Sequence, residues 1–165
     1  MTVTDLAKRV LPHADEQELA AAVRQLRHWT QIGLLSLGAG ESVFTGTGRH
    51  REYEDSALYS AALLFEIGKW KLPPSLIDRV VKSLGFSIER RANANDWQLW
   101  QDAVSGKADI VLWVEMHKPA DRPGLVFGLE GRMSFANRLS NKSKSDDHVS
   151  TFVVFLTDLF SRLQG

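Results

Sequence analysis

Four side chains able to read a nucleic acid crowd into one short stretch, as Arg24, Gln25, Arg27 and His28. An arginine bonds a guanine edge with two donors and a glutamine can do the same for adenine, so Arg24, Gln25 and His28 are candidates for base contacts. A second basic group, Arg49, His50 and Arg51, follows further along, with Tyr53 just beyond it. Residues 1–85 balance ten basic against ten acidic side chains, yet from Arg24 to Arg51 there are four arginines and only one acid, Glu41. Positive charge is thus focused on one stretch, as binding to phosphates requires.

Other constellations point to chemistry less directly. GAGESVFTGTG has the glycines of a phosphate loop, but no Lys-Ser/Thr follows and no strand runs into a helix there. Glu115 and His117 fall on one side of a predicted strand with Glu130 across from them, a pattern open to acid–base or metal chemistry and equally to plain surface charge. SDDH, Ser145 to His148, sits in a polar stretch and reads as solvated. Trp97, Trp100 and Trp113 could line an apolar pocket, pack as core or form a dimer surface. With no cysteine in the chain, disulfides, thiolate nucleophiles, thiolate zinc sites and iron–sulfur clusters are excluded. No catalytic residue, metal ligand or cofactor is assigned, and the expectation is a binding protein rather than an enzyme.

The elements that must position the basic residues are legible in the spacing. Leu6, Ala7 and Val10 predict a helix over 4–10 that Pro12 stops. Asp15 with Glu18 is a capping box, and Leu19, Val23, Leu26 and Trp29 or Thr30 continue a second helix until Gly33. Two glycine turns, at 38–40 and 46–48, separate short β-prone runs and predict a hairpin wing. From Asp55, read as a cap, a helix carries Leu58, Ala61, Ala62 and Phe65 as far as Pro73 and Pro74, and another covers 75–84. RRANAN, near residues 85–95, reads as a linker.

Beyond it, Asp96 is placed to cap a helix that Gly106 ends, and Ile110 to Met116 reads as a buried strand. LVFGLEGRMSF reads as its antiparallel partner, NRLSNKSKSDDH as a mobile loop, and the last segment as a strand to about Leu156 followed by a helix, with one continuous helix as the rival. The fold class expected is α+β: a winged helix–turn–helix over residues 1–85, then a small α+β region over 86–165 with two or three antiparallel strands.

LRHWTQIGLL, Leu26 to Leu35, resembles the signature of the MerR family of bacterial transcription regulators, in which an arginine, two aromatics and a Gly-Leu-Leu ending close the recognition helix. Arg27 matches the arginine, His28 and Trp29 stand at the aromatic pair, and Gly33, Leu34 and Leu35 match the ending. RHREYED resembles the family's wing motif, with Arg51 and Tyr53 matching and Arg49 and His50 replacing its glycine and tyrosine. Leu58, Leu63, Phe65 and the run LPPSLID resemble the next two helices. The resemblance covers the first half of the chain and implies that Arg27 and Arg51 touch the DNA backbone while Tyr53 supports the wing. The long dimerisation helix of typical members is replaced here by the α+β region.

At 165 residues, with 44% hydrophobic and 24% charged side chains and zero formal charge, the chain has the composition of a folded domain or two small ones. No stretch nears the ~18 apolar residues of a membrane span, and the N-terminal residues do not read as a signal peptide. The expectation is therefore a cytoplasmic, MerR-like transcription regulator that binds double-stranded DNA as a homodimer, apart from membranes. An excisionase-like architectural factor and a protein-interaction module that has lost DNA affinity are the alternatives. The strands at 110–114 and 151–156 are expected to offer sheet edges for the dimer.

Overall fold

The computed structural model describes residues 1–37, 52–72, 74–83, 94–117, 124–141 and 148–164. Two capping boxes open the chain. The Thr2 hydroxyl accepts from the Asp5 N–H and the Asp5 carboxylate accepts from the Thr2 N–H, which starts α1 (Val3–Val10); the Thr2 hydroxyl's hydrogen bond to the Asp5 carboxylate, with that of the Thr2 N–H, holds the Asp5 carboxyl below its ordinary pKa. Asp15 and Glu18 make the same reciprocal pair, at 2.7 and 3.0 Å, and start α2 (Glu16–Gln31). Gly33, at φ +76°, ends α2 as expected, and the N–H groups of Leu34 and Leu35 both donate back to the Trp29 carbonyl. This sharp turn sends Leu34, Leu35 and Leu37 into the core.

The wing expected between Gly38 and Gly48 lies outside the described residues. Its flanks, however, are held together: Glu54 N–H donates to the Leu37 carbonyl, and Tyr53 exchanges backbone hydrogen bonds with Met1. Asp55 stands before α3 (Ser56–Gly68) but makes no side-chain cap; its carboxylate pairs with Arg9 at 3.3 Å instead. Pro74, whose missing N–H costs nothing at a first helical position, opens α4 (Pro74–Ser83).

Helix α3 has almost no polar face. Ala57, Leu58, Ala61 and Leu64 enter one core with α1 and α2, whereas Leu63 and Ile67 enter a second core built from the rest of the chain. Val81 and Val80 of α4 divide in the same way. The boundary expected near residue 85 lies outside the described residues, as do the first four residues of the linker read at RRANAN, while its last two, Ala94 and Asn95, are helical.

Helix α5 (Ala94–Val104) begins at Ala94, so Asp96 lies within the first turn rather than capping it; Gly106, at φ +68°, follows its end. Strands β1 (Ile110–His117), β2 (Gly124–Gly131) and β3 (His148–Phe155) form an antiparallel sheet in the order β2-β1-β3. Among the described residues the fold is thus mixed α+β with three strands. Residues 110–114 belong to the central strand and offer no edge, a correction to the expected dimer surface; the edges are β2 and β3. β3 passes directly into α7 (Leu156–Ser161), the strand-then-helix reading. The Thr157 hydroxyl accepts from Ile110 N–H at 3.0 Å and donates to the Ala108 carbonyl at 2.9 Å, fixing α7 to the start of β1.

The segment after β2 departs from expectation. The predicted strand stops at Gly131, and α6 (Arg132–Asn141) occupies residues read as strand and loop. Its polarity concealed it, because a helix laid over a sheet edge-on needs few buried positions, and here Phe135 is the one buried apolar side chain.

Because α3 completes both cores, Leu63→Ala should cost about 2–5 kcal/mol and weaken the whole chain at once. Urea unfolding followed by circular dichroism and by tryptophan fluorescence should give one common midpoint, in the variant as in the parent; two separated transitions would mean that the cores melt independently.

Candidate nucleic-acid interface

The rotation of α2 is set by what it buries. Ala22, Leu26, Trp29 and Thr30 face the core, and Trp29 meets Phe65 edge to face at 4.9 Å. All four sequence-predicted residues of this helix, Arg24, Gln25, Arg27 and His28, are consequently exposed. They do not form a single row. Helical spacing groups Arg24 and Arg27 with Gln17, Ala20 and Gln31 on one exposed flank, while Gln25 and His28 line a groove on the other flank together with Ala21 and Ile32. Neither Arg24 nor Arg27 forms an ion pair with a described residue.

Charge along α2 is uneven. Glu16 and Glu18 sit in the first turn, where they favour the helix dipole but repel phosphate, and the arginines begin only two turns later. The middle and end of the helix, rather than its tip, carry the positive potential.

Arg49, His50 and Arg51 lie outside the described residues. Tyr53 is described and is buried, 2% exposed. Its hydroxyl shares a 2.9 Å hydrogen bond with that of Thr30, which also bonds the Leu26 carbonyl at 2.9 Å. Tyr53 therefore ties the chain returning from residues 38–51 to the rear of α2, a supporting role.

The acidic residues singled out in the second half are engaged in packing. Arg138, one turn beyond Phe135 on α6, reaches the outer sheet face, where Nη1 donates to Glu115 at 2.7 Å and Nε to Glu130 at 2.8 Å. Its guanidinium lies 3.9 Å from the Trp113 ring centroid and 5.1 Å from that of Phe135. Burial alone would lower the Arg138 pKa, but hydrogen bonds and charge from Glu115 and Glu130 outweigh it and raise the value above its ordinary range. Trp113 lies across Gly128 of β2, where an added Cβ would come within 3.0 Å of the indole. This arrangement clamps α6 to the sheet. The clamp joins residues far apart in sequence, and only the alternation of β1, which puts Trp113 and Glu115 on one face, hinted at it.

The remaining candidates do not converge. The His117 side chain and Ser145 to Asp147 lie outside the described residues, and so does the His148 side chain. Trp97 is exposed, Trp100 is buried against Phe160 at 4.8 Å, and Trp113 sits on the opposite sheet face, so the three line no common pocket. Among the described residues no group of three metal-binding side chains comes together.

Arg138→Met removes the cation shared by two carboxylates, one of them 4% exposed, and should cost about 2–3 kcal/mol, the lower end for a buried pair because Arg138 keeps some solvent contact. Adding Glu115→Gln should recover part of that loss in a denaturation double-mutant cycle; simple additivity would show the pair to be uncoupled.

Compared with known proteins, the chain matches no family model and no curated sequence.

Proposed function

We propose that this chain is a MerR-like winged helix–turn–helix transcription regulator, cytoplasmic and dimeric, that binds double-stranded DNA with α2 and the 38–51 segment. The observation that carries the reading is the free flank of α2. Arg24 and Arg27 stand exposed and without ion pairs among the described residues, on a helix whose rotation is fixed by a buried stripe and by the Thr30–Tyr53 hydrogen bond. The same bond joins α2 to Tyr53, two residues along the sequence from Arg51.

The acidic first turn bears on how the helix would dock. A recognition helix entering the major groove by its tip would bring Glu16 and Glu18 against phosphate. Docking along its length avoids this, with Arg24 and Arg27 toward one backbone and Gln25 and His28 toward base edges. The activity proposed is binding rather than catalysis, in keeping with the capture of Glu115 and Glu130 by Arg138.

Operators with two-fold symmetry favour dimeric readers. Of the described large apolar side chains left exposed, Val126, Met133, Leu139 and Phe155 belong to the α6 and sheet region, with Met133 at 75% exposure. That side of the second half is the proposed dimer surface. Among the described residues no helix is long and apolar enough to cross a membrane.

Fluorescence anisotropy with the protein's own upstream DNA and a scrambled duplex, across a salt series, tests the DNA reading. Tight, selective binding is expected, and Arg24→Gln or Arg27→Gln should each reduce the slope of log K against log salt by about one where that arginine meets a phosphate. Equal affinity for both duplexes would assign an architectural role, and no binding even at low salt would overturn the reading.

Light scattering at micromolar concentration should give twice the chain mass, and Met133→Lys should shift it toward the monomer. A monomer mass for the parent protein would overturn the dimer.

A further inference from the structure

A groove of about 920 Å³ runs between α2 and the ends of α3 and α4, closed at one end by the turn joining α1 to α2. Its existence follows from the side chains that face it. Where α2 passes the end of α3 it presents Ala21 and Ala22, and α3 presents Gly68, so no bulk fills the space between them. A Cβ built on Gly68 meets nothing within 4 Å. Behind these small residues lie two aromatic rings, Trp29 and Phe65, in edge-to-face contact. Ile32, at the lip, leaves 48% of its surface in water.

The polar groups around the groove are unequal in sign. Among the described residues His13, His28 and Lys69 can carry positive charge, against the single acid Glu18, with Gln25 as a neutral donor and acceptor. Lys69 also pairs with Glu66 at 2.5 Å, but an ammonium has three donors and this side chain remains largely exposed. Apolar walls, an aromatic floor and a few polar groups at the rim are the ordinary make-up of a small-molecule site, and the volume falls in the usual range.

We propose that this groove binds a small aromatic anion, with its ring system over Trp29 and Phe65, its apolar edge covering Ile32, and its charged group toward His28 and Lys69. The inference does not rest on the DNA reading, although the groove shares Gln25 and His28 with the base contacts proposed there, and it places ligand binding in the first half of the chain rather than in the α+β region.

The test uses anilinonaphthalene sulfonate, an aromatic anion that fluoresces when shielded from water, with neutral phenylnaphthylamine as the comparison, titrated into the full chain. Saturable binding at one site per chain is expected. Gly68→Leu and Ala21→Leu, two substitutions at exposed positions that put bulk into the groove, should each weaken the sulfonate at least about tenfold, with circular dichroism confirming the parent fold. Lys69→Gln and His28→Gln should weaken it about threefold and leave the neutral probe unchanged. Sulfonate binding that survives both leucine substitutions, or no saturable binding, overturns the site. Equal affinity for the two probes overturns the anionic character of its ligand.

Discussion

The interaction on which the rest of the structure depends is the burial of α3 from two directions. ALYSAALLFEIG offers water almost nothing polar, so the helix must be covered around its circumference. One half of that circumference is covered by α1 and α2, the other by α5, α7 and the sheet. Covering it from two directions joins the chain's two cores through a single element. It also decides which faces of the covering elements turn outward. Trp29 packs on Phe65 of α3, and once that contact is made α2 has no rotational freedom. Arg24 and Arg27 then face solvent because the opposite stripe faces α3.

The sheet answers the same demand on one face only. Leu112, Val114, Leu129 and Val154 point to the core that Leu63 and Ile67 of α3 complete, as strand alternation requires. The other face receives Val111, Trp113 and Glu115, and a single polar helix lies over it. Glu115 is buried there and needs a cation; Arg138 supplies one and covers Trp113 with its flat guanidinium. Arg132, at the start of α6, repeats the device: it stacks 4.5 Å over Phe155 and reaches Asp158 at 2.7 Å, while its Nε lies 2.9 Å from Asp109 without hydrogen-bond geometry. Two arginines thus hold a helix whose own apolar content is too small to hold it. A charged fastening of this kind fixes orientation more than it adds stability, because each ion gives up hydration to make it.

What could be read from the sequence was local. The reciprocal caps at Thr2–Asp5 and Asp15–Glu18, the positive-φ glycines at 33 and 106, and the passage from strand to helix at Leu156 each depend on residues a few positions apart. Thr2 itself escaped notice, although its spacing to Asp5 is that of a cap. The misreadings have a different origin. Asp55 has the identity of a cap but is drawn to Arg9, a partner distant in sequence. α6 is helical because Gly131 and Asp109 turn the chain back across the sheet, with Arg132 N–H donating to the Asp109 carbonyl, and no periodicity within NRLSN announces it. Tyr53 looks like a surface aromatic among charges until Thr30, far from it in sequence, claims its hydroxyl. For the candidate site, residue types were legible but directions were not. Arg24 and Gln25 are neighbours in sequence and about 100° apart around the helix, so one faces the open flank and the other the groove.

That divergence constrains how the two proposed surfaces of α2 could influence each other. A ligand in the groove would touch Gln25 and His28, whereas Arg24 and Arg27 would lie beyond its reach on the other flank. The helix itself cannot turn to relay the event, since Leu26, Trp29 and Thr30 anchor it and any rotation would draw a large apolar side chain from the core into water. Communication would then pass through the side chains of Gln25 and His28 and through local charge, over a few ångströms. An anion held there would compete with base contacts made by those two residues and would leave the phosphate contacts of the two arginines in place. The expected consequence is a loss of selectivity greater than the loss of affinity, because base contacts carry sequence discrimination while phosphate contacts carry most of the binding.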